Sequence, residues 1–393
     1  MRILRWILVV FTGLILYAAV NQYLFCPQYS FPRHHPFAGT SIFNPYEHAD
    51  SVNWKQCNFH AHVHAWGGLT HGSGTAAECW NVYDSLGYDV HCISDYEKVN
   101  RYGEGEPNFI PAYEHGYGML KNHHGVIGTF RVNYGDYIFP QTLSNKQHML
   151  DCLQENDSAV IAINHPVLRN GVSPDDFLRL HGYDAIEVLR SGTHSFPQWD
   201  SALSSGHAAY IIADDDMHDS SRPNEVGKNC TWIHAQSATR NEILTGLKSG
   251  NAYGMIIASP KGETMQQKFQ RFKSGFPKLN SLRITGDTLK ISLSATAHAI
   301  RFIGQGGQEK FMAQQTATSA YYFQPADTYI RIQADFDDGT SIFLNPVFRF
   351  DESVQQPLPF INQTRTALFR IAGAVVLLIF AVAAFRLLRK TSL

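Results

Sequence analysis

The chain has 393 residues, of which 44% are hydrophobic and 17% are charged, and its formal net charge is -2. This length suffices for two domains, or for one large α/β domain with an appendage. The near-neutral charge gives no reason to expect nucleic acid as a partner, because surfaces that bind it are usually markedly basic. Histidine is the unusual residue, with 19 copies, many of them close to Asp, Glu or another His.

Two apolar segments, residues 1–21 and 367–388, predict membrane helices that anchor the chain. Basic residues border these segments on the terminal side: Arg2, Arg5, Arg386, Arg389 and Lys390. The positive-inside rule then places both termini in the cytoplasm and everything between the helices outside it. A cleaved signal peptide is the alternative for the first segment, but Asn21-Gln22-Tyr23 offers no small-x-small cleavage site. The six cysteines could form disulfides in that compartment, although their spacing predicts no particular pairing.

Residues 22–50 contain several prolines and few periodic apolar positions, which predicts an extended linker. From residue 51 to 258, short apolar runs alternate with helical stretches. Four of these runs predict strands: Val90–Ile93, Ala159–Ile163, Ala185–Leu189 and Ala208–Ala213. An alternation of strand and helix is typical of an α/β barrel or a doubly wound sheet.

Two helices in this region carry the pattern of an N-terminal capping box. Thr75 is followed by Glu78, which predicts a helix that stops at Gly87, and Thr239 is followed by Glu242, which predicts a helix ending near Gly250. Residues 259–277 are polar and basic and predict a connecting helix. Alternating runs over residues 278–352, broken by Gly or Asp turns, predict a small antiparallel β-sandwich domain.

The segment His60-Ala61-His62 is the first candidate metal motif. On a strand, residues two apart point to the same face, so both imidazoles can bind one ion. His64 continues the same row and leaves the register ambiguous. Half-exposed strand histidines are the plain structural alternative.

Further imidazoles and carboxylates follow other predicted strands. They are Glu114-His115, His123-His124, Asn164-His165-Pro166 and Asp214-Asp215-Asp216-Met217-His218. Each has a plain alternative, such as an exposed Glu–His pair, a turn-capping histidine or a solvated acidic loop. Together they supply the ligand types that zinc, manganese or iron take in proteins. The sequence therefore predicts a metal site at these strand ends.

In this order the residues resemble the PHP superfamily, named for polymerase and histidinol phosphatase domains, over about residues 53–255. The matching elements are His60-Ala61-His62, residues 87–95, Glu114, His165-Pro166, Glu187 and Asp216-Met217-His218. The resemblance implies a distorted (β/α)7 barrel with a centre of two or three divalent metal ions that hydrolyses phosphoesters. It implies that His60, His62, Glu114 and Asp216 hold the first ion. Glu114 would bridge to a second ion held with His165 and His123.

One position departs from the family pattern, which has Asp-His where this chain has Asp95-Tyr96. In the family, that histidine binds a third metal together with the last histidine, here His218, and one near the first loop, for which His71 is the candidate. A neutral phenol is a poorer ligand, because the ordinary pKa of tyrosine is about 10. Two metals are therefore expected, with the third site left open.

The expected reaction is the hydrolysis of a small-molecule phosphoester by water activated between two cations. Asp95 or His218 would orient that water or protonate the leaving group. Arg169 and Arg190 are candidate phosphate clamps, with a surface ion pair as the alternative for each. The oligomeric state stays open.

Two other functions compete with this hypothesis. An amidohydrolase barrel also opens with His-x-His and ends with a strand-end Asp, but it needs a bridging Lys or Glu and two separate later histidines. An early Glu114 and the closing Asp216-x-His218 favour the PHP interpretation. A non-catalytic surface receptor with a degenerate metal barrel is the second alternative, and Tyr96 is the feature that favours it.

Overall fold

The computed structural model describes residues 2–155 and 158–389. Its helices are α1 (Arg2–Val20), α2 (Ala76–Ser85), α3 (Leu143–Gln154), α4 (Pro174–Phe177), α5 (Phe196–Ser204), α6 (Arg240–Ser249), α7 (Met265–Lys273) and α8 (Gln363–Arg389). Its strands are β1 (Tyr29–Ser30), β2 (Ser41–Phe43), β3 (Trp54–Asn58), β4 (Val90–His91), β5 (Ala112–His115), β6 (His123–Ile127), β7 (Val160–Asn164), β8 (Ala185–Arg190), β9 (Thr193–His194), β10 (Tyr210–Asp214), β11 (Asn229–His234), β12 (Ala252–Ile256), β13 (Leu279–Thr285), β14 (Thr288–Gly304), β15 (Gln308–Tyr322), β16 (Tyr329–Asp335), β17 (Ser341–Leu344), β18 (Val347–Phe350) and β19 (Phe360–Ile361).

Local sequence signals predicted four of the strands and two of the helices in the α/β region. The four predicted strands correspond to β4, β7, β8 and β10, with ends that differ by at most two residues. The capping box at α2 is confirmed, because the Thr75 hydroxyl accepts from the Glu78 backbone N–H at 3.2 Å. Helix α6 is also confirmed, and it ends at Gly250 with a left-handed φ of 73°. Its predicted capping box is wrong, since the Thr239 side chain accepts no hydrogen bond from the helix.

One sheet is built in the order β10-β8-β7-β6-β5, with β9 paired to β8. Strands β10, β8 and β7 are parallel, whereas β6 runs antiparallel to both β7 and β5. All residues of β7 and β10 are buried. Such continuous apolar runs are typical of strands that are covered on both faces.

The second sheet runs β13-β14-β16-β17-β12-β11-β3-β4, with β15 paired to β14 and with β18 joining β16 to β2. The antiparallel strands predicted after residue 278 are present, but they extend the sheet that contains β3, β11 and β12. Strand β17 pairs with β12 from Tyr253↔Leu344 to Ile256↔Ser341. Strand β17 therefore provides the hydrogen-bond partners for the backbone groups at the edge of β12. In a closed barrel, another barrel strand would pair with that edge. Across the described residues, the expected (β/α)7 barrel is therefore replaced by two sheets that form no closed ring.

The two sheets meet where β3 and β10 end. The backbone N–H of Phe59 donates to Asp214 Oδ1 at 2.7 Å, and the backbone N–H of Asp215 donates to Asn58 Oδ1 at 2.9 Å. Just beyond, Ala61 and Met217 form a parallel bridge. These contacts place the histidines that follow β3 beside the acidic segment that follows β10.

The segments outside the two sheets and their helices pack against this part of the chain or against each other. Residues 22–50 form only short elements, yet some of their side chains are buried; Tyr46, for example, donates its hydroxyl proton to the Ala252 carbonyl at 2.6 Å. Residues 3–25 and 363–389 form helices long and apolar enough to cross a membrane, with mean hydropathies of 2.2 and 2.6. The two helices are in contact, and Arg370 Nε donates to the Phe25 carbonyl at 3.2 Å. Lys390, one of the basic residues expected beyond the second helix, lies outside the described residues.

All six cysteines lie in the described part of the chain, and none is in a disulfide. Five of them are buried, and Cys152 is half-buried. A buried free thiol behaves as a small apolar side chain, so these cysteines contribute to the packing of the interior.

Candidate metal centre

The structure brings the predicted ligand residues to one edge of the two sheets. His60 and His62 follow β3, Glu114 lies on β5, and Asp216 follows β10. His123 begins β6 and is paired with Asn164 at the end of β7, so it lies at the same edge. His165 and His218 come directly after β7 and shortly after β10.

Four side chains form the first group of ligand atoms. The Nε2 atoms of His60 and His62 are 3.1 Å apart, and His60 Nε2 lies 3.2 Å from both Glu114 Oε1 and Asp216 Oδ1. His62 Nε2 lies 3.2 Å from Glu114 Oε2 and 3.3 Å from Asp216 Oδ1. All four side chains are buried. Two imidazoles and two carboxylates thus point at a common centre.

A second group shares Glu114 with the first. His123 Nδ1 and His165 Nε2 each lie 3.0 Å from Glu114 Oε1. One carboxylate therefore faces imidazoles of both groups, which is the arrangement of a bridging ligand between two cations.

The donor spacing fits divalent metal ions. Around an ion with ligands at about 2.1 Å, neighbouring donors lie about 3.0 Å apart in an octahedron and about 3.4 Å apart in a tetrahedron. The separations of 3.0 to 3.3 Å fall between these values. Glu114 Oε2 and Asp216 Oδ1 are also buried and, among the described residues, have no partner with hydrogen-bond geometry, although His62 Nε2 is close to both. A cation would satisfy these oxygens.

The charges of the cluster suit cation binding. Burial by itself would raise the pKa of Glu114, but the neighbouring His123 and His60 imidazoles outweigh it and hold the pKa well below its usual range. Asp216 behaves in the same way: burial would raise its pKa, but the His60 and His62 imidazoles hold it well below the usual range. In turn, burial would lower the pKa of His60, yet the Asp216 and Glu114 carboxylates raise it well above the usual value. A metal ion would therefore displace protons from these rings, and its affinity should fall with decreasing pH.

Two ligand residues have strained backbones. His165 has a φ of 28° and Asp216 a φ of 49°, in the left-handed region that residues with a side chain rarely adopt. Such strain costs on the order of 1–3 kcal/mol and persists where surrounding contacts enforce it. Here the contacts are Glu187 Oε2, which accepts from the His165 N–H at 2.7 Å, and Arg190 Nε, which donates to Asp216 Oδ2 at 2.6 Å.

The third expected ligand group is only partly assembled. His62, Asp216 and His218 can offer ligand atoms within 4.8 Å of one another. His218 Nδ1 lies 2.8 Å from the Asp216 carbonyl oxygen, which leaves Nε2 as the lone-pair nitrogen of the neutral ring. The His71 ring centroid is 6.2 Å from that of His218. The Tyr96 ring stacks on that of His62 with the ring centroids 4.6 Å apart, and burial, together with the nearby Glu114 and Asp216 carboxylates, raises the pKa of its phenol.

Three residues that support the ligands had no such role in the sequence analysis. Glu187 Oε1 lies 2.9 Å from His60 Nδ1, so this carboxylate orients the ring and directs Nε2 toward the centre. Asn164 Nδ2 donates to Glu114 Oε1 at 3.1 Å. Arg190 pairs with Asp216 and is only partly exposed, so it is neither a free clamp nor a simple surface ion pair. The sequence signal available for Glu187 was that this single Glu interrupts the otherwise apolar run Ala185–Leu189.

The remaining predicted acidic residues contact backbone. Asp95 Oδ1 accepts from the Val63 N–H at 3.0 Å and Oδ2 accepts from Asn100 at 3.2 Å, which holds the loop after His62 in place. Its predicted part in catalysis stays a prediction. Asp215 accepts from three successive backbone N–H groups, those of residues 227–229, and so stabilises the turn before β11.

A cavity of about 650 Å³ opens beside the cluster. Tyr96, His123 and His71 are among the residues that line it. The predicted phosphate clamp Arg169 also lines it and donates to the Met119 carbonyl at 2.9 Å. A larger cavity of about 820 Å³ lies elsewhere, around residues 31–36, and contains none of the candidate ligands.

No protein-family model matches the chain, and no curated protein matches it either. Among solved structures, the chain is similar to a two-domain protein from Bacteroides vulgatus that contains a predicted PHP-like metal-dependent phosphoesterase. The identity is 11% and the TM-score 0.37, with 84% of this chain and 99% of that chain covered. It is also similar to PsfC from Pseudomonas syringae, with 14% identity, a TM-score of 0.36, and coverage of 57% of this chain and 97% of that one. Both similarities are distant.

Proposed function

We propose that the chain is a metal-dependent phosphoesterase of the PHP type with a two-ion centre. The observation that carries this proposal is the sharing of Glu114 between two groups of buried donors, with separations that fit divalent ions. His60, His62 and Asp216 would complete the first site. His123 and His165 would complete the second. The mixed imidazole and carboxylate set suits zinc, manganese or iron.

Two adjacent cations, once bound, supply an activated water and stabilise the attacking and leaving oxygens of an in-line displacement at phosphorus. The chain's own residues prepare this reaction. Lys121 and Arg169 line the adjacent cavity, where their positive charges can hold phosphate oxygens. Tyr96 keeps its proton and can donate it in a hydrogen bond. His218, whose pKa is lowered by burial, presents a neutral ring that can accept a proton through Nε2.

The same proposal places the catalytic body outside the cytoplasm, with both termini inside. Its support is the position of the two apolar helices near the ends of the chain and the basic residues that border them. Protease added to intact cells, or to spheroplasts where an outer membrane is present, should digest the region between the helices. Protection of that region until the cells are lysed would contradict this topology.

Activity is tested with the metal-loaded full-length chain on a panel of phosphomonoesters, phosphodiesters and amides. Asp216→Ala should lower phosphoester hydrolysis by at least about 10²–10³-fold, since even one well-placed electrostatic stabiliser is worth that much. The matched control is Asp214→Asn. Burial raises the pKa of Asp214 well above its usual value, and Asn keeps the oxygen that accepts from Phe59, so this variant should remain active.

Three results would contradict the proposal. Hydrolysis of amides alone would favour an amidohydrolase. Hydrolysis of neither class by a folded, metal-loaded chain would favour a non-catalytic binding protein. Equal damage from Asp214→Asn and Asp216→Ala would show that the ligand register is wrong.

A further inference from the structure

The cavity beside the metal centre combines an apolar rim with positive charge. We define the apolar rim as the exposed residues Trp66, Leu69, Tyr117, Met119, Tyr134 and Ile138. All except Ile138 line the cavity, and Ile138 accepts a backbone hydrogen bond from Met119 at 2.9 Å. Between 47% and 89% of each of these side chains is exposed. A cluster of large apolar side chains with such exposure marks a surface that another apolar body covers.

The apolar rim is connected directly to the end of the first candidate membrane helix. Phe139, the residue after Ile138, exchanges two hydrogen bonds with the Gln22 side chain, at 2.8 and 2.9 Å. Tyr23 donates its hydroxyl proton to the Pro140 carbonyl at 2.9 Å, and its ring stacks on Phe139. Gln22 and Tyr23 belong to the last turns of the apolar segment that ends at residue 25. Consecutive residues are only about 3.8 Å apart, so the rim lies next to the point where this helix would leave the bilayer.

The side chains of the apolar rim suit a bilayer surface. Tryptophan and tyrosine are enriched where protein meets the headgroup region, and three rim residues, Trp66, Tyr117 and Tyr134, are of these types. The positive charges come from Lys121, which is half-buried, and from Arg169, which is exposed. Lys121 Nζ lies 5.6 Å from the centre of the Tyr96 ring, and no described carboxylate forms an ion pair with Lys121 or Arg169. One cavity is therefore lined by an apolar rim, by two positive charges and by the candidate ligand His123.

We propose that the substrate is an amphiphilic phosphomonoester taken from the membrane that holds the two helices, with its phosphate at the metal centre and its apolar tail across the rim. This inference rests on the phosphoesterase function and the membrane anchoring proposed above. In the reaction, water oxygen bonds to phosphorus, the bond from phosphorus to the ester oxygen breaks, and that oxygen leaves as the lipid alcohol with a proton from the water. The products are inorganic phosphate and a lipid alcohol that stays in the membrane.

The test uses the full-length, metal-loaded chain in phosphatidylcholine vesicles that contain dioleoyl phosphatidate. Phosphate release from this lipid is compared with hydrolysis of soluble p-nitrophenyl phosphate by the same vesicles. Ile138→Glu should lower the ratio of lipid to soluble hydrolysis by about fivefold, since burying half of an isoleucine side chain contributes roughly that factor. The control is Val52→Glu, a more exposed apolar position just before β3, at the end of that strand remote from the ligands.

A second measurement does not depend on turnover. In metal-free protein, fluorescence of the wild type minus that of Trp66→Phe isolates the contribution of Trp66. Brominated phosphatidylcholine should quench this contribution if the rim contacts the acyl chains. The soluble-ester rate of each variant shows that it is folded.

The outcomes separate the two proposals. If the soluble ester is hydrolysed, phosphatidate is not, and Trp66 is not quenched, the lipid substrate is excluded and the phosphoesterase function stands. If neither ester is hydrolysed, the phosphoesterase function fails and this inference fails with it. If Ile138→Glu and Val52→Glu give the same ratio as the wild type, the apolar rim does not bind the substrate and the inference is overturned.

Discussion

Glu187 provides a direct test of how the first ligand group is held. Its two carboxylate oxygens have separate partners: Oε1 lies 2.9 Å from His60 Nδ1, and Oε2 accepts from the His165 backbone N–H at 2.7 Å. A carboxylate accepts at both oxygens, whereas an amide accepts at one and donates at the other. Glu187→Gln therefore keeps the shape but cannot satisfy both partners. In one orientation the amide NH2 donates to His60 Nδ1, which places the proton of the neutral ring on Nε2. In the other orientation the amide NH2 faces the backbone N–H of His165, so that two donors meet without an acceptor.

The expected loss is substantial because both partners are candidate ligands from different groups. Replacing the hydrogen-bond partner of a ligating histidine typically lowers metal affinity by roughly 10- to 100-fold. This range corresponds to about 1.4–2.7 kcal/mol of binding free energy. Glu187 is 1% exposed, so water does not easily replace the lost acceptor.

Metal affinity is measured by competition with a chelator, for the wild type and for Glu187→Gln. The control is Asp184→Asn, at the residue just before the N-terminal end of β8, the strand that contains Glu187. Asp184 Oδ2 accepts from the Ile161 N–H at 2.8 Å, and asparagine keeps that acceptor. Unchanged affinity in Glu187→Gln, or an equal loss in both variants, would refute the assignment of Glu187 as the residue that orients His60.

Three further predictions follow from the site and the body of the protein. His165→Ala should lower the metal content by about one ion per chain as measured by elemental analysis, because the second group loses one of its three donors. Tyr96→His should raise the metal content, since an imidazole there would stand beside His62, whose ring also contacts that of His218; a native chain that already binds three tight ions would contradict this. Burial lowers the pKa of the His207 imidazole to about 3, below the ~6.5 of an unfolded chain. The unfolded chain therefore binds a proton at this position at a higher pH than the folded chain does, and the free energy of unfolding decreases as pH falls through this interval. Between about pH 7 and 5 the free energy of unfolding should decrease by at most about 2 kcal/mol, and by less than this because the ring is partly exposed. In His207→Gln, the melting temperature should therefore decrease less over that pH range than in the wild type.

The sequence by itself determined which residue types meet at the centre. Apolar runs marked β7, β8 and β10, and polar residues directly after them had to lie at one edge because the strands are parallel. The spacing of His60 and His62 is also local: the two residues lie just past β3 and not on a strand as predicted, yet their Nε2 atoms are 3.1 Å apart. Order and spacing of short motifs were enough to select the candidate ligands that converge.

Only the tertiary structure decided how the strands pair and what supports the ligands. The pairing of β17 with β12 joins residues almost 90 positions apart, and no local period indicates which free edge a strand will cover. The contact between Glu187 and His60 spans 127 positions, and that between Arg190 and Asp216 is made where the backbone at Asp216 is strained, with a φ of 49°. The connection of the apolar rim to the first candidate membrane helix likewise joins Gln22 to Phe139, 117 positions away. Such long-range hydrogen bonds form because folding leaves buried polar groups that must find partners, and their identities depend on the complete packing.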